Sequence, residues 1–335
     1  MAEVLRRGAP WPGAVAVSGG GDSVALMFLL ADWTKTHDKE PPAILTVDHG
    51  LLADSAKHAR DVAKRAKEAG LKSEILVWRE KKPEADIEAR ARDARYRLIG
   101  DWCKAHGIGG VYVAHTVEDQ AETFLLRLGR GSGLDGLSAM RPVALYPVPG
   151  FDDLRLVRPL LDMQRDELRE FLKSRKQPWF EDEMNADPRF SRARLRAAWP
   201  LLTELGLSSG RIANAAKHLS RAREALDHAT ENLLSRASRI VDGEALLDPA
   251  RLGAAPREIG LRAFAWLLSR VSGESYRPRF ERLERLFDAV CRGELTAART
   301  LHSCRIAPAG KGEMAFGPHT IVISRELTRS RASGD

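Results

Sequence analysis

Short apolar runs alternate with longer stretches of helical spacing along the N-terminal part of this chain. Residues 14–17, 44–47, 74–78 and 111–114 are β-like. Residues 23–33, 54–69, 86–106 and 117–128 carry apolar positions three or four apart, as amphipathic helices do. Gly70 and Gly107 follow the second and third of these helices, where glycine commonly ends a helix. The rhythm predicts an α/β fold, a parallel sheet covered by helices on both faces. Ligands of such sheets bind beyond the carboxyl ends of the strands, and the polar motifs of this chain fall there.

Beyond Arg158-Pro159 the pattern changes. Residues 165–176 read as a helix, and 179–190 as a polar loop containing Pro188. Residues 195–292 read as mostly helical, interrupted near 206–210, 242–249 and 273–278. The tail from 300 to 325 holds short β-like pieces such as 320–323. With a Gly/Ser-rich boundary near 205–215, the expectation is a catalytic domain over 1–205, a helical domain over 206–295 and a short C-terminal appendage over 296–335.

Composition narrows this picture modestly. A length of 335 residues suits two domains, and 44% hydrophobic with 30% charged residues suits a soluble globular chain. No run of about 18 apolar residues appears, so no membrane span is expected. Residues 1–17 contain two arginines but no apolar core of signal-peptide length, so a cytoplasmic location is expected. Cys103, Cys291 and Cys304 are far apart with no CxxC pair, which disfavours a structural zinc site or an iron–sulfur cluster. The net charge of +7 and pI of about 9.4 point to a polyanionic partner, with more force where arginines cluster.

The first chemical motif is SGGGDS at 18–23, joining a buried strand to a helix. Gly19, Gly20 and Gly21 lack Cβ atoms, so backbone N–H groups can approach phosphate oxygens, and Ser18 and Ser23 can add hydroxyl donors. The following helix offers its positive end. Asp22 is out of place in a simple anion site but suits one that holds magnesium beside phosphates. The motif has neither the lysine of a Walker A loop nor the spaced glycines of a dinucleotide fold. A glycine-rich turn capped at Asp22 is the structural alternative.

The second motif, residues 114–140, enters a helix bearing Glu118, Asp119 and Glu122. Asp119 and Glu122 stand three apart and share one helix face, so an ammonium group or a metal ion could fill the gap between them. The bland reading is a solvated acidic face. It is weakened by Arg127, Arg130 and the Gly131-Ser132-Gly133 turn directly after the acids, which offer further phosphate donors. Arg192, Arg194 and Arg196 alternate ahead of another helix. Three like charges so close suggest contacts to phosphates of RNA or ATP.

These segments resemble known proteins. SGGGDS resembles the pyrophosphatase-type loop of enzymes that split ATP to AMP and pyrophosphate. Residues 114–140, with AHT, DQAET, LLRL, RGSGL and GL-x-AM together, resemble the signature of the tRNA(Ile)-lysidine synthetase family. So do EARARDARY (88–96), VRPLL (157–161) and WFEDEMNADPRFSRARLR (179–196). Glu118 stands for a more usual aspartate, and Leu52 for the arginine that usually ends VDHGLR. The resemblance covers about residues 14–200 closely and the remainder loosely.

It implies an enzyme that uses ATP to adenylate the wobble cytidine of an isoleucine tRNA with a CAU anticodon and then joins free lysine to it. It further implies that 18–23 hold ATP, that Asp22 binds Mg2+, that Asp119 and Glu122 bind lysine, and that Arg95 stabilises charge on ATP or the activated base. Arg95, Arg90 and Arg92 read equally well as solvating their helix, and His115 is a weaker candidate for a base. A tRNA thiolase of the same superfamily is the nearest alternative, disfavoured by the cysteines. A small-molecule ligase needs no arginine cluster at 192–196, and a non-catalytic basic RNA-binding protein has no use for Asp22, Asp119 and Glu122.

Overall fold

A computed structural model describes residues 1–51, 54–80, 87–181, 191–274, 276, 278–310 and 314–326. Leu52, residues 182–190 of the arginine-bearing loop and the last residues of the tail lie outside the described set. The chain divides into two compact units, Met1–Ser220 and Arg221–Asp335.

In the first unit the order is α1 (Ala2–Arg6), β1 (Ala14–Ala16), α2 (Gly21–His37), β2 (Ala43–Asp48), α3 (Ser55–Glu68), β3 (Ser73–Val77), α4 (Ile87–Ala105), β4 (Gly110–Tyr112), α5 (Val117–Leu128), α6 (Leu134–Leu137), β5 (Val143–Leu145), β6 (Arg155–Val157), α7 (Arg165–Ser174), α8 (Ser191–Ala197) and α9 (Trp199–Glu204). The sheet order is β3-β2-β1-β4-β6-β5, parallel except for β5, which runs antiparallel to β6. The four strands expected from the pattern are all present, and the expected parallel sheet is the one observed. β5 and β6 were not expected; three residues each is too short a run for alternation to register.

Alternation of side chains fixes the two faces of this sheet. Val157, Tyr112, Val15 and Ile44 are cross-strand neighbours on one face, packed with Val24, Met27 and Leu30 of α2, Val62 of α3, and Leu168 and Leu172 of α7. One step along each strand, Leu156, Val111 and Ala14 face the other way, onto Tyr96, Ile99 and Cys103 of α4. Both faces are dry over the central strands β1, β2 and β4, which is why these read as apolar runs, while the edge strands β3 and β5 are partly exposed. The chain moves from β1 outward to β2 and β3, then returns to β4 on the other side of β1. The loops that leave β1 and β4 therefore meet at the point where strand order reverses, where open sheets of this kind leave a crevice. These loops carry the two motifs at 18–23 and 114–122.

α10 (Ser209–Ala237) contains the boundary between the units, which falls after Ser220. The second unit continues with β7 (Ser238–Val241), β8 (Glu244–Leu247), α11 (Pro249–Ala254), α12 (Arg257–Ser272), α13 (Phe280–Cys291), β9 (Arg299–Leu301), β10 (Cys304–Pro308) and β11 (Ile321–Arg325). The interruption near 242–249 is a β-hairpin. Asp242 and Gly243 both take positive φ, 51° and 83°, as a tight two-residue turn requires, and Asp-Gly is a strong local signal for it. β8 then pairs with β11 in an antiparallel sheet of order β7-β8-β11-β10-β9. Leu247, Phe264, Leu268, Ile306 and Ile323 share one core, so the strands at 299–325 complete the same unit as the helices before them. No helix among the described residues is long and apolar enough to cross a membrane.

Candidate active site

The glycine loop is held by its own serines. The Ser18 N–H donates to Ser23 Oγ (3.2 Å), Ser23 Oγ donates to the Gly20 carbonyl (2.9 Å), and the two hydroxyls lie 3.3 Å apart. Gly20 caps α2 with extended backbone, so the first N–H groups of that helix open toward the crevice. Gly19 and Gly21 are also crowded by the start of the 179–196 motif. Residues 178–180, after α7, lie across the loop: Phe180 N–H donates to the Gly19 carbonyl (3.0 Å), its ring stacks on His58 (4.0 Å), and Arg65 sits 5.2 Å from its centroid. A Cβ on Gly19, where φ is +94°, would stand 2.8 Å from the Phe180 ring, and one on Gly21 would stand 3.3 Å from Trp179.

Across the crevice, α5 begins with a capping box. Thr116 N–H and Oγ1 both donate to Asp119 Oδ2 (2.9 and 3.3 Å). Glu118 accepts the Arg165 backbone N–H on both oxygens (3.2 Å each) at the start of α7, where a carboxylate complements the helix dipole. The structure brings Asp22, Asp119 and Glu122 together around one side chain, Arg165. Its Nε donates to Asp22 Oδ2 (3.2 Å), Nη2 to Asp119 Oδ1 (2.7 Å) and Nη1 to Glu122 Oε1 (3.2 Å). From α8, Arg196 adds Nε to Glu122 Oε1 (2.7 Å) and Nη2 to Oε2 (3.3 Å), with Arg192 Nε 4.0 Å from Oε2. Glu122 is 2% exposed and Asp119 9%, so these charges must be paired to persist.

The electrostatics follow from that packing. Burial raises the pKa of Asp22, with Arg165 pulling the other way. Burial also works against the Asp119 charge, but Arg165, His115 and the Thr116 N–H together outweigh it and hold that carboxyl below its ordinary value. Arg165 loses solvation too, yet Asp119, Glu122, Asp22 and Glu118 hold it firmly protonated. His115 is pushed down to about 4, first by burial and then by Arg158, Arg92 and Arg192, against the pull of Asp119. Arg158 Nε donates to His115 Nδ1 (3.1 Å), so the neutral ring carries its proton on Nε2.

Of the expected site residues, 18–23, Asp119 and Glu122 meet at the crevice. Arg192 and Arg196, four apart on α8, turn toward Glu122, while Arg194 is exposed. Arg192 and Arg196 thus find an anion within the protein itself. Arg95 is half-buried on α4 in the neighbourhood of Tyr146. Among the described residues no group of three or more His, Cys, Asp or Glu could by itself hold a metal ion. The sequence reading missed Arg165 and Arg158. For Arg165 a signal existed: an arginine at the first position of a helix faces the positive end of the dipole and needs carboxylates beside it.

A family model described as the PP-loop domain matches residues 11–202. A tRNA(Ile)-lysidine synthase of Ruegeria pomeroyi is 42% identical over 265 residues, which cover 79% of this chain and 62% of that protein. That of Wolbachia pipientis is 36% identical over 318 residues, 94% of this chain and 71% of the relative. That of Bradyrhizobium diazoefficiens is 38% identical over 324 residues, 96% and 85%. The chain thus spans about three fifths of the first of these relatives and most of the third. Its glycine loop and carboxylate helix meet at one crevice, and the chain belongs to the tRNA(Ile)-lysidine synthase family of PP-loop ATP enzymes.

Proposed function

We propose that this protein joins free lysine to the wobble cytidine of an isoleucine tRNA with a CAU anticodon, through an adenylated base. One observation carries the reading: three carboxylates converge on a cation directly beside a glycine loop built for phosphates. A site for an anionic nucleotide and a site for a cationic amine are adjacent, as ligation through an acyl-like phosphate intermediate requires.

In the first step the cytosine O2 attacks the α-phosphate and pyrophosphate leaves. Ser18, Gly19, Gly20, Gly21 and Ser23 would hold the phosphates through the α2 N-terminus. Magnesium commonly takes one or two protein carboxylates together with substrate phosphates, so Asp22 would be its protein ligand. When bound, the ion offsets charge on the phosphates. Arg95 would face developing charge on ATP or the base.

In the second step an amine of lysine attacks C2 of the base and AMP leaves. Asp119 and Glu122 would bind an ammonium group of lysine. Of the three arginines on Glu122, Arg196 bonds it at 2.7 Å and is more exposed than Arg165, 32% against 18%, while Arg192 stands farther off at 4.0 Å, so exchange of Arg196 for an ammonium preserves the charge balance. Released Arg196, with Arg192 and Arg194, would then contact tRNA phosphates. The attacking amine must shed a proton. His115 does not suit that task, since Arg158 occupies its Nδ1 and its pKa lies near 4.

The thiolase alternative is weakened by the thiols. Cys103 and Cys304 are buried, and loss of solvation pushes Cys103 up to about 12 and Cys291 and Cys304 up to about 11, far from the thiolate form.

The test is to incubate the purified protein with ATP, lysine and an isoleucine tRNA transcript bearing CAU, then digest the RNA for nucleoside mass spectrometry. Lysidine is expected, with AMP and pyrophosphate. A thiolated cytidine in the presence of a sulfur donor, or lysine-dependent ATP cleavage without tRNA, would overturn the proposal.

A further inference from the structure

The two halves of the crevice have no covalent reason to stay in register. Asp22 follows β1, whereas Asp119 and Glu122 follow β4; pairing of β1 with β4 sets the two strands side by side, and the loops beyond them are bridged by a side chain from neither. Arg165 spans that gap with three different nitrogens on three different carboxylates. A planar fork can do this; an ammonium point charge cannot hold the same three directions.

Its backbone is anchored as firmly as its side chain. The Arg165 N–H is held by Glu118, while Leu168 and Leu172 one and two turns on are fully buried against α2. Arg165 pairs with Asp22 and Arg175 pairs with Asp32. The partners are ten residues apart on both helices, so α7 runs alongside α2 in the same direction, about 15 Å from one pair to the next. A side chain waiting to be displaced would have one partner and an open flank, as Arg196 does. Arg165 has neither.

We propose that Arg165 is a positioning residue that ties the nucleotide end of the site to its amine end. It holds Asp22 against Asp119 and Glu122, so that the amine seat keeps a fixed distance from the activated base. Lysine then captures the adenylated base before water does. This inference rests on the lysine-ligation reading.

Two measurements test it. In the first, AMP released and lysidine formed are counted together for the unmodified protein and for Arg165→Lys, which retains the charge and loses the fork. Unmodified protein should give about one AMP per lysidine. Arg165→Lys should release about tenfold more AMP per lysidine, because the intermediate is lost to hydrolysis. A merely structural residue would lower both products together, and an unchanged ratio would overturn the proposal.

The second needs no turnover. Urea-unfolding constants of Asp22→Asn, Glu122→Gln and the double variant are compared with Arg165 present and in an Arg165→Met background. With Arg165 present the two changes should be non-additive by about threefold or more, and in Arg165→Met they should be additive. Additivity in both backgrounds would refute the tie. Absence of lysidine from the unmodified protein would instead refute the ligation reading, and this second measurement would still decide whether Arg165 links the two ends.

Discussion

Replacing Asp119 separates two jobs that one carboxylate does. Its Oδ2 accepts the Thr116 N–H at 2.9 Å and closes the capping box, while its Oδ1 takes Arg165 Nη2 at 2.7 Å. Asp119→Ala removes both. Loss of the cap costs about 1 kcal/mol, and somewhat more here because Thr116 is fully buried and its N–H is left without an acceptor. Removing one partner of a buried ion pair outright costs about 3–5 kcal/mol, but Arg165 keeps Asp22 and Glu122, so about 1–2 kcal/mol is expected from that side. The sum is about 3 kcal/mol. Asp119→Asn keeps an oxygen for Thr116 but loses the charge and the acceptor for Arg165 Nη2, so about 1–2 kcal/mol is expected. The assay is urea unfolding followed by tryptophan fluorescence. Trp11, Trp33, Trp78, Trp102, Trp179 and Trp199 lie in the first unit and only Trp266 in the second, so the signal reports mainly on the unit that holds the site. On a thermal scan the Ala variant should melt about 6–12 °C lower. Both variants should also raise the KM for lysine. Equal losses for Ala and Asn would refute the capping role, and losses below about 0.5 kcal/mol for both would mean that the cluster behaves as a solvated surface.

Three further outcomes are expected. The ring of His115 is protonated in the unfolded chain below its ordinary 6.5 but resists protonation in the fold until about 4, so its contribution to stability is present above pH 6.5 and declines as pH falls. Unfolding titrations from pH 7 to 4.5 should show a loss of about 2–3 kcal/mol that is largely absent in His115→Gln. Gly19→Ala puts a Cβ 2.8 Å from the Phe180 ring on a residue with φ of +94°. It should cost about 1–3 kcal/mol and abolish pyrophosphate exchange, and normal exchange would show that the loop works without residues 178–180 packed across it. Arg194→Ala should weaken tRNA binding alike for matched and unmatched sequences and lower the slope of log Kd against log salt by about one. An unchanged slope would remove Arg194 from the phosphate contacts.

Much of the first unit was legible in the sequence because the central strands of its sheet are buried on both faces. Apolar runs at 14–17, 44–47, 74–78 and 111–114 cannot be anything but strands once amphipathic helices separate them, and the helix at 117–128 coincides with α5. The three-residue strands β5 and β6 were not legible, since their identity comes from pairing, β6 with β4 and β5 with β6, rather than from their own pattern. In the second unit the Asp242-Gly243 turn was visible but read as an interruption between helices. The sheet it begins depends on β11, far away in the chain, and no local pattern states that partnership.

The sequence by itself determined the chemistry that the crevice can hold: a loop whose glycines admit phosphates, and two carboxylates three apart on one helix face. Those features are local, set by backbone freedom and by the helical repeat. Only the tertiary structure decided which charges meet. Arg165 lies 143 positions from Asp22 and 46 from Asp119, and it reaches both because parallel strands bring the loops after β1 and β4 together and α7 packs along α2. Arg196, which the sequence offered to an outside phosphate, turns instead to Glu122, because a carboxylate so deeply buried cannot stay charged without cations beside it.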